Sequence, residues 1–202
     1  NNWKYEDALD TWTFPGFEGK AARVLALSAG DEVELFLNGQ SLGKKPVGEE
    51  LALTAVFQVL YQPGELKAVS YKGGAIQGEC TLRTAGPVSA LRVEASRLAL
   101  SAGEQDLCIL TADLVDEQGV MNLWEVKPVT VRVEGAGTLL GFGSGNPSCS
   151  GSYQDLCWDT FDGRVQAVVR AGKEPGPLTV TFSAPGCSDA QVTLLVNPSD
   201  FR

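Results

Sequence analysis

Histidine is absent from this chain of 202 residues. Without an imidazole there is no Ser-His-Asp or Cys-His arrangement, no histidine general base and no histidine-containing zinc site. Apolar runs are short, since none approaches the length of about 18 residues that spans a bilayer. The first ten residues, NNWKYEDALD, also lack the shape of a signal peptide. The sequence therefore predicts no catalytic residue, no metal site, no cofactor and no membrane segment.

Basic residues are scarce relative to acidic ones. The chain has 16 Lys and Arg against 25 Asp and Glu, which gives a formal net charge of −9. Binding to nucleic acid depends on neutralising phosphates with Lys and Arg, so a chain this acidic and without a basic patch is not expected to bind it. Neutral partners such as sugars are compatible with this charge.

The chain has an odd number of cysteines, and no two of them form a CxxC motif. This pattern indicates neither a zinc knuckle nor a fully paired disulfide framework. Cys149 and Cys157 flank one polar loop and are the pair to test for a disulfide. Free thiols favour a reducing compartment, so we expect a cytoplasmic protein, with a secreted or periplasmic location as the alternative. The five cysteines are Cys80, Cys108, Cys149, Cys157 and Cys187.

Short alternating strands with turns between them fill the sequence. In residues 32–37, EVELFL, apolar and other residues alternate, and Asn38-Gly39 then predicts a type I′ hairpin with a return strand over 40–42. No stretch shows helical periodicity, and strands at a spacing of roughly ten residues are typical of β-sandwiches. Further strands are predicted over 21–28, 51–60, 65–71, 75–84, 89–97, 107–116 (with a turn over 117–119), 128–145 (two strands), 164–172, 176–186 and 190–198.

A break at Ala85-Gly86-Pro87 separates two series of strands. We therefore predict an all-β protein with two immunoglobulin-like β-sandwich domains in tandem, residues 1–86 and 87–202. The glycine-rich segment 135–147, GAGTLLGFGSGNP, is not followed by the lysine or helix of a phosphate loop. Its glycines are expected to supply positive φ and a bulge between strands.

Three aromatic residues fall outside the predicted strands: Trp124, Tyr153 and Trp158. Flat aromatic faces in loops stack on sugar rings, so these three are the candidate carbohydrate contacts. The alternative is that they pack over an open end of a sandwich or at a domain interface. Glu32 and Glu34 are not a glycosidase pair in this interpretation, because adjacent carboxylates on one strand face repel each other and are solvated.

The segment Thr11–Lys20, TWTFPGFEGK, places Trp12, Phe14 and Phe17 within six positions. Pro15, Gly16 and Gly19 rule out a regular helix there. The three aromatic side chains either fill a core of this chain or dock on a part of the protein outside it. We predict interdomain docking for all three.

Several segments in order resemble glycoside hydrolase family 2. TWTFPGFEGKAARVLALSAGDEVELFLNGQSLGKK resembles the segment that follows the catalytic barrel in many bacterial enzymes of this family. YQPGELKAVSYKGG and RTAGPVSALRVEA resemble its next signature and the junction to the following domain. LTADLVDEQG, VEGAGTLLGFGSGNP and FDGRVQAVVRAG are similar to that last domain. One departure is GSGNP, where the family usually has GNGDP.

The resemblance implies a C-terminal, non-catalytic region of a β-galactosidase-like enzyme. Such enzymes work by retention with two glutamates in a TIM barrel, and this chain lacks the (β/α)₈ alternation that a barrel requires. The implied partner is the catalytic barrel of the same polypeptide, and Trp12, Phe14 and Phe17 would dock on it or on the second sandwich. The alternatives are a stand-alone carbohydrate-binding module, or immunoglobulin-like adhesion or spacer modules.

Overall fold

A computed structural model describes residues 8–199, whose regular structure is β-strand apart from one 3-10 turn. The chain divides into two compact units between Thr84 and Ala85, two residues before the predicted boundary. The prediction of an all-β, sandwich-like protein is confirmed. No helix among the described residues is long and apolar enough to cross a membrane.

The described part of the first unit, residues 8–84, contains six strands in two sheets. Strands β1 and β4 form a two-stranded antiparallel sheet, and the other four form an antiparallel sheet in the order β3-β2-β5-β6. The strands are β1 (Ala21–Leu27), β2 (Glu32–Leu37), β3 (Gln40–Pro46), β4 (Thr54–Leu60), β5 (Glu65–Lys72) and β6 (Ala75–Arg83), with the 3-10 turn at Glu49–Leu51.

The hairpin between β2 and β3 follows the sequence pattern closely. Asn38 has φ 51° and Gly39 has φ 80°, as a type I′ turn requires, so this prediction is confirmed. Val33, Leu35 and Leu37 point from β2 into the core of the first unit. Strand β3 continues to Pro46, beyond the predicted end at Leu42, and every residue of this edge strand is exposed.

Residues 85–199, the described part of the second unit, contain nine strands in two sheets with the orders β12-β10-β14-β15-β8 and β11-β13-β9-β7. All neighbours are antiparallel except β15 and β8, which are parallel. The strands are β7 (Ala90–Ala95), β8 (Ala99–Ser101), β9 (Leu107–Val115), β10 (Pro128–Gly135), β11 (Gly137–Gly143), β12 (Cys157–Asp159), β13 (Arg164–Ala171), β14 (Gly176–Ser183) and β15 (Ala190–Asn197).

Glycines shape the connection from β10 to β11 as predicted. Gly135 has φ 97°, and a Cβ there would lie 2.1 Å from the Pro177 carbonyl oxygen, so a larger residue does not fit. The register of β11 against β13 shifts between Leu139 and Gly141, which is the predicted bulge. The glycines of this segment therefore permit the tight connection and the bulge between these strands.

Candidate functional site

The aromatic residues of the segment Thr11–Lys20 have two different environments. Trp12 is 2% exposed and belongs to the core cluster of the first unit, and Phe14 is half-buried against the same cluster. Phe17 is 52% exposed. Its ring lies 4.4 Å from Nζ of Lys20, which is a cation–π contact. Docking outside the first unit stays a prediction, and Phe17 is the member of the three that presents a large exposed ring.

Hydrogen bonds hold both the side chain and the backbone of Trp12. Its indole Nε1 donates to the Gln62 carbonyl at 3.0 Å, and its own carbonyl accepts from Thr84 Oγ1 at 2.6 Å. The ring meets Tyr61 edge-on with centroids 5.0 Å apart. Phe14 completes an aromatic cluster, 5.6 Å from Tyr61, and its N–H donates to the Tyr61 hydroxyl at 3.1 Å. This cluster fixes the start of the first unit against its sheets.

Trp158 is not an open stacking face, which corrects the sequence interpretation of this residue. It lies in the short edge strand β12, is 7% exposed and belongs to the core cluster of the second unit. Tyr153 stacks on it with an interplanar angle of 10° and a centroid distance of 5.5 Å. A three-residue strand shows no alternation in the sequence, which is why the pattern missed β12.

Tyr153 and Trp124 are the exposed members of the three candidate carbohydrate contacts. Tyr153 is 60% exposed, and its ring rests on the buried Trp158. Trp124 is 48% exposed and lies in a bend of the backbone. Its own N–H donates to Asn122 Oδ1 at 3.0 Å. The structure brings Tyr153 and Trp158 together, and their role in binding sugar stays a prediction.

A buried carboxylate lies between two arginines on the sheet of β7, β9 and β13. Asp113 is paired across the strands with Arg164 on one side and Arg92 on the other. Arg164 Nε donates to Asp113 Oδ1 at 2.6 Å and its Nη2 to Oδ2 at 3.0 Å, and Arg92 Nη2 also donates to Oδ2 at 3.0 Å. The hydrogen bonds to Asp113 raise the pKa of the Arg164 guanidinium. Because both oxygens of the Asp113 carboxylate accept hydrogen bonds from the arginines, we assign a structural role to this row of Arg92, Asp113 and Arg164.

Asp116 organises the loop after β9. Burial by itself raises the pKa of this carboxyl, but hydrogen bonds from the backbone amides of Gly86, Val120, Gln118 and Gly119 outweigh it and lower the pKa. The Gly86 N–H is 2.7 Å from Oδ2, and the Gln118 and Val120 N–H groups are each 2.9 Å from Oδ1. These contacts make Asp116 a structural anchor within the second unit.

Other acidic residues and the cysteines do not form a metal-binding group in the part of the chain that the structure describes. Glu34 accepts hydrogen bonds from Ser41 Oγ at 2.6 Å and Tyr71 Oη at 3.1 Å, and these lower its pKa. Within residues 8–199 no group of three or more Cys, Asp or Glu side chains could hold a metal ion. All five cysteines are unpaired.

Comparison with known proteins accounts for both units. The sequence profile described as "Glycoside hydrolase family 2 C-terminal domain 5" matches residues 91–193. The chain belongs to this family. A second profile, described as a domain of unknown function (DUF4982), matches residues 19–77. The resemblance of the sequence to the C-terminal region of family 2 enzymes is thereby confirmed.

Individual relatives agree with this assignment. The chain is 28% identical to Beta-galactosidase BoGH2A of Bacteroides ovatus over 94% of its own length and 21% of that protein. It is 26% identical to a Beta-glucuronidase of Formosa agariphila, covering 84% of this chain and 17% of the other. A solved structure of a family 2 member from Bacteroides cellulosilyticus matches with a TM-score of 0.90 and 38% identity, over 96% of this chain and 25% of that one. The chain thus spans a quarter or less of these relatives and corresponds to one part of a larger polypeptide.

Proposed function

We propose that this chain is the C-terminal accessory region of a retaining family 2 glycosidase, and that it supports a catalytic barrel supplied by the same polypeptide. One observation carries the proposal: the chain superposes over 96% of its length on a quarter of a family 2 structure. We propose β-galactosides and β-glucuronides as the candidate substrates of that enzyme, because two of the relatives are named as a beta-galactosidase and a beta-glucuronidase. The unpaired thiols favour a reducing compartment such as the cytoplasm.

Phe17 is the residue that we propose for contact with the barrel. An exposed phenylalanine ring lowers the solubility of an isolated chain. When a partner covers the ring, the burial of its apolar surface stabilises the complex. It precedes β1 closely, and its neighbour Trp12 is rigidly anchored. A ring on so fixed a segment can dock without much loss of conformational entropy.

Removal of this region from the full-length enzyme tests the accessory role. The complete polypeptide and a version that ends before Thr11 would be compared with nitrophenyl β-galactoside and β-glucuronide substrates and by thermal unfolding. We expect the shortened enzyme to lose most of its kcat/KM or to unfold at a lower temperature. Equal activity and equal thermal stability of the two proteins would contradict the proposal.

Replacement of Phe17 by serine tests the docking residue. In the isolated chain, Phe17→Ser is expected to change the free energy of unfolding by less than about 1 kcal/mol, because it removes an exposed ring and one exposed cation–π contact. In the full-length enzyme the same change should lower the melting temperature. Leu98→Ser is the matched control, since Leu98 is an exposed apolar residue of the second unit. A full-length Phe17→Ser enzyme as stable as the Leu98→Ser control would count against docking through Phe17.

Carbohydrate contact through Tyr153 is a second candidate function. The specific observation in its favour is that Trp158 supports the Tyr153 ring from one side, so that its orientation is fixed while most of it stays exposed. Calorimetric titration of the isolated chain with galactosides and β-linked polysaccharides should give binding that Tyr153→Ala abolishes and Tyr71→Ala leaves intact. A flat response with the unaltered chain at millimolar ligand rejects this role.

A further inference from the structure

The outer face of the sheet β11-β13-β9-β7 has four neighbouring positions in one line across its strands. On β13 the residues on either side of Gln166 are fully buried in the core of the second unit, so Gln166 itself points outward. Gln166 pairs with Gly143 of β11 and with Thr111 of β9, and Thr111 pairs with Glu94 of β7. Directly paired residues share a face of the sheet, so all four positions face outward.

Tyr153 fills the place of the side chain that Gly143 lacks. A Cβ at Gly143 would lie 2.6 Å from both Cδ1 and Cε1 of Tyr153, so the edge of the tyrosine ring rests on β11. The Phe142 N–H donates to the Tyr153 carbonyl at 2.8 Å, which ties this part of the loop to the same strand. Trp158 covers one face of the ring and leaves the other for a ligand, since Tyr153 is 60% exposed. We define the polar row as Tyr153, Gln166, Thr111 and Glu94.

Hydrogen-bonding groups of the polar row are held in place. Gln166 Nε2 donates to Thr111 Oγ1 at 3.1 Å. This bond occupies one N–H of the Gln166 amide, which has a second N–H and a carbonyl oxygen for the hydroxyl groups of a ligand. The Glu94 side chain is 75% exposed and adds a carboxylate acceptor at the end of the row. Side chains that are already oriented lose little conformational entropy when they bind.

An apolar strip runs beside the polar row. Val168 of β13 and Ile109 of β9 pair with each other, two positions along from Gln166 and Thr111 and on the same face. Ile109 is 47% exposed and Val168 is half-buried. A sugar ring presents apolar C–H groups on its faces and hydroxyl groups around its rim, so adjacent apolar and polar strips complement it.

The charges next to the polar row balance each other. Arg92 and Arg164 both bind Asp113, and Arg92 Nε also lies 3.9 Å from Glu94 Oε1. These two guanidinium groups face two carboxylates, so this part of the surface has no net charge. Such a surface does not attract a carboxylated sugar, and a neutral ligand is therefore favoured.

The length of the polar row limits the size of the ligand. From β11 to β7 the row crosses the whole four-stranded sheet, which at about 4.8 Å between strands is about 14 Å, room for about three pyranose rings of an extended β-linked chain. We propose that the polar row binds a neutral β-linked oligosaccharide of this length. One ring stacks on Tyr153, and the rings that follow bond to Gln166, Thr111 and Glu94. The proposal rests on the carbohydrate contact proposed above for Tyr153 and adds the length and charge of the ligand.

Titration of the complete 202-residue chain with oligosaccharides of increasing length tests the polar row. The ligands are β-1,4-linked oligomers of glucose and of galactose with one to four rings, followed by calorimetry and, for the weakest of them, by two-dimensional NMR. In one of the two series the Kd should fall about tenfold or more from one ring to three, because the longer ligand gains hydrogen bonds. From three rings to four it should change less than about twofold, because the row ends at β7.

Substitution of Gln166 separates the row from the tyrosine. Gln166→Ala should weaken binding of the three-ring ligand about fivefold or more and leave the affinity for a single ring unchanged. Gln191→Ala is the matched control, because Gln191 Nε2 donates to Thr181 Oγ1 at 3.3 Å in the same cross-strand arrangement on the other sheet. It should not change any affinity. The three-ring ligand with its C6 groups oxidised to carboxylates should bind more weakly than the neutral one.

Three results would overturn the polar row. They are equal affinities for one ring and three, equal affinities of the Gln166→Ala and Gln191→Ala chains for three rings, and tighter binding of the oxidised ligand. Each is compatible with sugar binding that Tyr153→Ala abolishes, so Tyr153 would remain a contact while the row is rejected. A flat response to every sugar rejects the row and the contact together. The accessory role is tested separately, because no measurement here involves the catalytic barrel.

Discussion

Replacement of Trp12 by alanine is expected to lower the stability of the first unit strongly while leaving the stability of the second unit unchanged. Truncation of a buried tryptophan costs about 3–5 kcal/mol through lost burial and the cavity that remains. The total stability of a unit of this size is of the order of 4–12 kcal/mol, from about 0.05–0.15 kcal/mol per residue. One substitution therefore removes a large part of it.

The contacts of Trp12 explain why its loss is not compensated locally. Its ring packs edge-on against Tyr61 and Phe14, with centroids 5.0 Å and 6.2 Å away. Without the indole, the Gln62 carbonyl loses its donor at 3.0 Å. Trp12→Phe keeps an aromatic ring and loses the hydrogen bond, so it should be less destabilising than Trp12→Ala.

Urea unfolding followed by two-dimensional NMR separates the two units, because each residue reports on its own unit. In Trp12→Ala the signals of β1 to β6 should disappear at lower urea than in the unaltered chain, and those of β7 to β15 should be unaffected. Trp124→Ala is the control, since it removes a tryptophan that is 48% exposed. Unfolding of the first unit at the same urea concentration in Trp12→Ala and in the unaltered chain would refute the role given to this residue.

Replacement of Arg164 by methionine is expected to destabilise the second unit by about 2–3 kcal/mol. Loss of one partner from a fully buried ion pair costs about 3–5 kcal/mol. The smaller value follows because Arg164 is itself half-exposed and because Arg92 remains bonded to Asp113. The buried Asp113 carboxylate then keeps one of the two arginines that solvate it in the folded state.

Arg132→Met is the matched control for Arg164→Met. Arg132 forms an ion pair with Glu134 at 3.4 Å in which both side chains are largely exposed. Its removal should cost less than about 1 kcal/mol. In a double-variant cycle, Asp113→Leu should recover part of the stability lost in Arg164→Met, because it removes the under-solvated charge. Equal unfolding free energies for Arg164→Met and Arg132→Met would contradict this explanation.

Local chemistry made much of the fold predictable. Asn38-Gly39 tolerates positive φ at both central positions, so its dipeptide sequence suffices to place a hairpin. Strand β2 has one buried face, and its period of two follows directly from that burial. The order of the family-like segments predicted the assignment to glycoside hydrolase family 2, which does not depend on contacts between distant residues.

Features that depend on distant contacts were not predictable. Trp158 reads as a loop residue, yet pairing with β10 and the cover of Tyr153 place it in the core. Trp12 reads as a docking residue, yet the carbonyl of Gln62, fifty positions away, holds it in the first unit. The row of Arg92, Asp113 and Arg164 arises from the register of three strands, which no single segment encodes.

The edges of the first unit differ in how well they resist aggregation. Strand β3 ends in Lys44, Lys45 and Pro46, and charges and proline on an edge prevent it from recruiting strands of other molecules. Strand β1, AARVLAL, has one charged residue in seven and no proline. A lysine in place of Leu27 would give β1 a charge of the kind that protects β3, and it is the first change to try for better solubility of an isolated preparation.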